Sequence, residues 1–368
     1  MRDFIMQPYL SLQAVRGLAA FIIVAGHVSS LSAQYMNASP GAMEMAHLGE
    51  VGWDLLFVLS GFSLVLSEHC QFGAKGQAWT FLKRRFLRVY PLYWAYFVAV
   101  FVLLRLEPGP THRAPSDGVD LIASLLLLPY APVPMFNQAW TLTQLLWCYL
   151  VLAAFLRLNL KALVVALSCW AALVLYAIAW LPAPHNPYGH VMVHASSLEF
   201  IFGALTGVVF LRLGKRSPGT VMAEPLMLVL GLGSIGYTLT HEVVGYTSVA
   251  GLMSWPRAMG IGAGTALLLA FLALQETRRK VNVPVALKGI GDLSYSLLLS
   301  YALTLGWCSQ IWQGWLSGQA SVWQVGLVGG LSFVLALIVA FFCHWFVEKP
   351  FAHYCSRFLG SSASPPGR

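Results

Sequence analysis

Long apolar runs, separated by short polar or basic stretches, recur from the start of the chain almost to its end. Windows of about 20 residues, enough for a helix to cross a bilayer, fall near 12–31, 52–69, 87–105, 140–157, 160–182, 195–213, 225–241, 252–274, 290–311 and 323–347. They predict an all-α polytopic transmembrane bundle of about ten spans. The run LIASLLLLPYAP at 121–132 is shorter and ends among prolines. That suits a re-entrant or interfacial segment. Because the apolar runs leave no room for a separate soluble domain, residues 1–368 read as one integral-membrane domain, with its core at 10–350 and a short cytoplasmic tail at 351–368.

Lysine and arginine mark one end of these spans. Of 22 in all, eighteen share a side: Arg2; Lys75, Lys83, Arg84, Arg85 and Arg88; Arg157 and Lys161; Arg212, Lys215 and Arg216; Arg278, Arg279, Lys280 and Lys288; Lys349, Arg357 and Arg368. Such an excess identifies the cytoplasmic side, so both termini are expected there. Arg16, Arg105, Arg113 and Arg257 fall elsewhere, and only Arg113 lies well inside an opposite-side loop. SLSA after the first run resembles a signal-peptide cleavage site, but the apolar core is too long for a signal and is interrupted by an arginine.

Composition narrows the picture. The chain is 58% hydrophobic and 10% charged, against about 25% charged residues in soluble domains, so most of it cannot face water. Its net charge of +8 belongs to the basic loops and points to anionic lipid headgroups as partners. No nucleic-acid motif is present. The six cysteines lie mostly in or beside spans, without a close pair in an outward loop, so neither a disulfide framework nor a metal site is expected.

Ionisable groups at membrane depth are costly and mark function by default. The first span carries Arg16 and His27, eleven residues apart. That is about three helical turns, which puts them on one face about 16 Å apart. Asp54, in VGWDLLFVLSGFSL, enters the second span at a depth estimated to match His27. A carboxylate beside a histidine can fix its tautomer and free the other nitrogen to act as a base; equally, the two can simply satisfy each other in a packed core. In KRRFLRVYPLYW, Arg85 and Arg88 are neighbours on one helical face. They can grip phosphates or form an ordinary lipid-facing flank. Glu199 is a further buried acid, and Trp140, Tyr149 and Tyr295 can line a cavity or anchor the bundle. GLGSIG at 231–236 and GIGAG at 260–264 lie in apolar spans without a preceding strand, so close helix packing explains them better than dinucleotide binding. His185, His190, His194 and His241 read as solvated histidines of outer loops or span ends, and His344 as a satisfied core or interface group.

Together, LQAVRGLAAFIIVAGH, VGWDLLFVLSGF, RRFLRVYPLYW, AWTLTQLLWCYLV, LEFIFGAL, GDLSYSLLL and the closing VEKPF resemble acyltransferase family 3. Members of that family acylate sugars of surface polysaccharides, lipopolysaccharide, nodulation factors and some antibiotics. The resemblance covers almost the whole chain and implies a bundle of about ten spans, in agreement with the apolar windows. It implies that His27 is the essential histidine and Arg16 the first-helix arginine. Arg85 and Arg88 match the cytoplasmic pair on the acyl-donor side, and Asp54, Ser60, Gly61 and Phe62 the second-helix motif. Leu145 stands where the family often has a glutamate, a serine near 196 where it has an arginine, and Tyr301 where it often has a histidine.

The resemblance implies O-acetylation of a glycan or glycolipid with acetyl-CoA, or another acyl-CoA, as donor substrate and no tightly bound cofactor. Arg85 and Arg88 would hold the donor phosphates, His27 would act as base with Asp54 as orienter, and Arg16 would serve the phosphates or the thiolate. Ser60 would help an oxyanion. A proton-coupled or anion transporter and an inactive relative of the same fold are the alternatives, and the protein is expected in a bacterial inner membrane.

Overall fold

The computed structural model describes residues 9–35, 40–74, 76–106, 117–130, 138–213, 218–241, 255–278, 283–315, 321–351 and 353–354. Most of the expected tail and the basic positions Arg2, Lys75, Lys215, Arg216, Arg279, Lys280, Arg357 and Arg368 lie outside the described residues, as does Arg113. The described residues form twelve α-helices: α1 Leu10–Tyr35, α2 Pro40–Glu68, α3 Gln77–Leu106, α4 Gly118–Leu125, α5 Ala139–Phe155, α6 Leu160–Trp180, α7 Pro187–Val193, α8 Ser196–Leu213, α9 Pro218–His241, α10 Trp255–Arg278, α11 Val285–Trp315 and α12 Val322–Cys343. The architecture is an all-α polytopic bundle.

Each apolar window overlaps a helix of its own, yet seven stretches among the described residues are long and apolar enough to cross a membrane, drawn from α1, α2, α6, α7 with α8, α9, α10 and α12. The other three windows lie in α3, α5 and α11 for physical reasons. Helix α5 has 17 residues. The first part of α3 carries Lys83, Arg84, Arg85 and Arg88. Helix α11 is studded with Ser and Thr, whose hydroxyls return to the helix backbone: Ser294 to Gly291 O, Thr304 to Ser300 O and Ser309 to Gly306 O. That local bonding lets polar side chains sit in a packed interior.

Glycines let the central helices approach closely. A Cβ added at Gly26 of α1 would collide with Gly49 of α2, and one at Gly61 of α2 would strike the Phe200 carbonyl of α8. The two glycine strings of α9 and α10 meet at Gly231 and Gly264, so both are packing motifs. At the basic end the first two backbone amides of α1 are capped by a distant carboxylate. Glu276 of α10 accepts from Leu10 N at 2.6 Å and from Ser11 N at 2.9 Å. Helix N-termini leave such donors unpaired, and a carboxylate there also meets the positive end of the dipole.

The short run after α3 turns back on itself and packs against α3. Helix α4 starts at an Asp117 N-cap, and after a turn in which Leu127 has φ of 55° the chain returns so that the Tyr130 hydroxyl meets Asp117. Its carbonyl end lies against the first half of α3, where Tyr93 donates to Ser124 O at 2.6 Å, Trp94 to Leu125 O at 3.0 Å and Tyr90 to Leu126 O at 2.8 Å. Thr143 of α5 donates to Leu127 O. Non-helical backbone at this depth is tolerated only when protein groups satisfy it, and these four side chains do so.

Candidate active site

At the basic end, α1, α3 and α5 bring three guanidinium groups together. Arg16, Arg85 and Arg88 all lie within electrostatic range of the buried Tyr149 hydroxyl. Arg85 is fixed. It donates to Glu68 of α2 at 2.6 Å and lies over the rings of Phe81 and Tyr149, 5.1 and 5.9 Å from their centroids. Glu68 also accepts from Arg84 at 2.7 Å. The Arg85 Nε is buried without a hydrogen-bond partner among the described residues. Arg88 is exposed and forms no ion pair among them, and it lies within electrostatic range of Arg16. Guanidinium groups gathered in this way are of the kind that can bind an anion. Tyr295, a cavity candidate, instead ties α11 to α3 by donating to Val89 O at 2.8 Å, one residue from Arg88.

A π-helical turn at His344–Glu348 completes this end. The Glu348 carboxylate accepts from Ser296 of α11 at 2.7 Å and pairs with His344 at 2.8 Å, so His344 is satisfied as expected. Glu348 and Asp292 lie within electrostatic range of Arg16.

Toward the other end, α1 places His27 against Tyr301 of α11, with ring centroids 4.9 Å apart at 35°. The register of α1 and α2 corrects the expected partnership with Asp54. Because Gly26 and Gly49 are in contact, a rise of 1.5 Å per residue puts Asp54 about 9 Å along the axis from His27. The Asp54 carboxylate is committed to Arg257 of α10, which donates to its Oδ2 from Nε at 3.2 Å and from Nη2 at 2.9 Å. Both partners are 2% exposed at the side chain. Glu199 of α8 lies beside Asp54, fully buried, and neither of its oxygens has a hydrogen bond of ordinary geometry among the described residues.

The acid level with His27 is Glu50, one turn before Asp54 and about 3 Å from His27 along the axis by the same count. It lies within electrostatic range of Arg257, Asp54 and Tyr301. The i, i+4 spacing of Glu50 and Asp54 was the available signal for it. Arg257 also had one, as an arginine inside an apolar window.

Ser60 is not at the His27 end. Its hydroxyl donates to Leu56 O at 2.7 Å, and the register puts it about 18 Å from His27, which removes it as an oxyanion donor there. Trp140 sits in an aromatic group with Trp53, Phe57 and His194, at centroid distances of 6.2, 6.4 and 5.5 Å. His194 is therefore not a solvated loop histidine; it is buried, and its Nδ1 accepts from Ser196 N. Leu145 packs against the apolar core.

A helical membrane bundle with an arginine cluster at one end and a half-buried histidine toward the other, with Arg16 and His27 on the same helix, is a membrane protein equipped to engage an anion and move a proton. The chain belongs to acyltransferase family 3, whose family model, described as an acyltransferase domain, matches residues 9–345. It is similar to acyltransferase MdmB of Streptomyces mycarofaciens, 26% identical over 380 residues that cover 95% of this chain and 92% of that protein. It is also similar to protein 2 in the picA locus of Rhizobium radiobacter, 31% identical over 196 residues, which cover 46% of this chain and 95% of the relative. No solved structure matches the chain.

Proposed function

We propose that this acyltransferase moves an acyl group, by default acetyl, from cytoplasmic acyl-CoA to a hydroxyl of a cell-surface or lipid-linked glycan. It would work in a bacterial inner membrane with both termini in the cytoplasm. The observation that supports this best is the division of labour along α1, with Arg16 among the guanidinium groups of the basic end and His27 about 16 Å farther along the same helix.

Arg88, Arg16 and the unpartnered Nε of Arg85 hold the donor phosphates, and the slender arm of the donor carries its thioester along α1 to His27. The imidazole takes the proton of the acceptor hydroxyl as that oxygen bonds to the acyl carbon. The C–S bond then breaks, and the imidazolium returns the proton to the departing thiolate. Glu50, level with the ring, stabilises the imidazolium while it lasts. The buried group of Asp54, Arg257 and Glu199 favours the competing reading, a proton-coupled or anion carrier.

Membranes containing the protein, supplied with radiolabelled acetyl-CoA and glycans extracted from the host, test this. Label should reach the sugar with the wild type and be lost with His27→Ala. Solute movement without label transfer would support the carrier. Arg85→Ala with Arg88→Ala should raise the acetyl-CoA concentration needed for half-maximal transfer while the protein still inserts; an unchanged requirement would return both arginines to the lipid-facing flank.

A further inference from the structure

Beside His27 lies Tyr301, and with Gln138 it carries a buried polar atom that has no ordinary hydrogen bond among the described residues. The Tyr301 hydroxyl lies within range of the Gln138 side-chain amide, yet neither that hydroxyl nor the Gln138 side-chain oxygen makes a hydrogen bond of ordinary geometry among the described residues. Tyr301 is 1% exposed and Gln138 7%. Buried groups of this kind are nearly always paired, so a buried donor and a buried acceptor both left open here mark a place where a ligand completes the bonding.

Neither group is a loose end of the packing. The Tyr301 ring is held against the imidazole of His27. Gln138 sits at the start of α5, where its backbone carbonyl accepts from the Thr141 hydroxyl at 2.8 Å, which steadies the residue and leaves the side chain free for another partner. The donor and the acceptor are thus presented from two different helices at the point where the base stands.

From this we infer that Tyr301 and Gln138 form the substrate-binding hydrogen-bond pair of the transfer site. The Tyr301 hydroxyl donates to the acyl carbonyl oxygen, and the Gln138 side-chain oxygen accepts from a second hydroxyl of a polyol acceptor next to the one that reacts. The inference rests on the acyl-transfer reading and adds two catalytic residues to it. As the attacking oxygen bonds to the carbonyl carbon, the π electrons of the C=O bond move onto its oxygen, and the Tyr301 hydroxyl stabilises that charge without giving up its proton. Sugars present neighbouring hydroxyls and simple alcohols do not, so Gln138 selects polyols. Tyr301 occupies the position where the resemblance places a histidine, so a ring N–H donor there would serve the same end.

The test uses Tyr301→Phe, which keeps the ring against His27 and removes only the hydroxyl. With radiolabelled acetyl-CoA and extracted glycan, kcat should fall about 10²–10³-fold, the usual effect of losing one such donor, while the KM for acetyl-CoA stays within twofold of wild type. Tyr301→His should recover at least tenfold of that loss. Gln138→Leu should raise the KM for the glycan far more than the KM for acetyl-CoA. A Tyr301→Phe kcat within threefold of wild type, or a histidine variant no faster than the phenylalanine one, would overturn the role of the hydroxyl and leave the acyl-transfer reading intact. Wild-type protein that transfers no label would overturn both.

Discussion

The Asp54–Arg257 pair shows how a single contact redirects a functional reading. The two residues are 203 positions apart and their side chains are almost completely buried. An ion pair in such surroundings does little for stability against a well-packed apolar pair, but breaking it by removing one member strands a charge. Arg257→Ala should therefore destabilise the protein by about 3–5 kcal/mol, read from thermal unfolding in detergent. Arg257→Met combined with Asp54→Asn should lose much less. Equal losses from the single and double variants would mean that packing around Arg257, not its charge, is what matters. Sequence alone could place Asp54 in the second span and Arg257 at the start of another. It could not show their meeting, because nothing in the local pattern of either helix encodes which distant helix packs against it.

Among the helices, α3 and α4 carry the clearest lesson. Tyrosine and tryptophan often serve as anchors at membrane boundaries, and the stretch VYPLYW after the arginines is rich in both. In the fold these rings turn inward and donate to the open carbonyls at the end of α4. Tyr93→Phe should cost about 0.5–1.5 kcal/mol, because it removes the shorter hydrogen bond to the Ser124 carbonyl and leaves that oxygen only the weaker bond from Leu127 N at 3.3 Å. Tyr130→Phe, at the exposed mouth of the same segment, should cost less than about 0.5 kcal/mol. Comparable losses from both variants in thermal unfolding would contradict the capping role. The sub-spanning length and terminal prolines of the segment suggested a re-entrant or interfacial piece. Its partners were hidden because a tyrosine that anchors to lipid and one that donates to a carbonyl look the same in sequence.

Across the whole molecule the most readable property was polarity. The apolar windows predicted the helices, and the basic residues that are described, Arg105 and Arg257 apart, belong to one end of the bundle together with Glu68, Glu276 and Glu348. Cys70, exposed just beyond α2, lies at that end. A membrane-impermeant maleimide should modify it in permeabilised or inverted membranes and leave it untouched in intact cells. Labelling in intact cells would reverse the assigned orientation.

Helix α1 runs unbroken from Leu10 to Tyr35, without a proline or a turn between Arg16 and His27, and its first residues are pinned by Glu276. The helix has no break between Arg16 and His27, so on the proposed acyl-CoA reading their separation would work as a measuring rod. A thioester whose arm is longer or shorter by one β-alanine unit would leave its carbonyl above or below the imidazole even with the phosphates correctly held. The protein would then discriminate among donors by reach rather than by the chemistry of the acyl group.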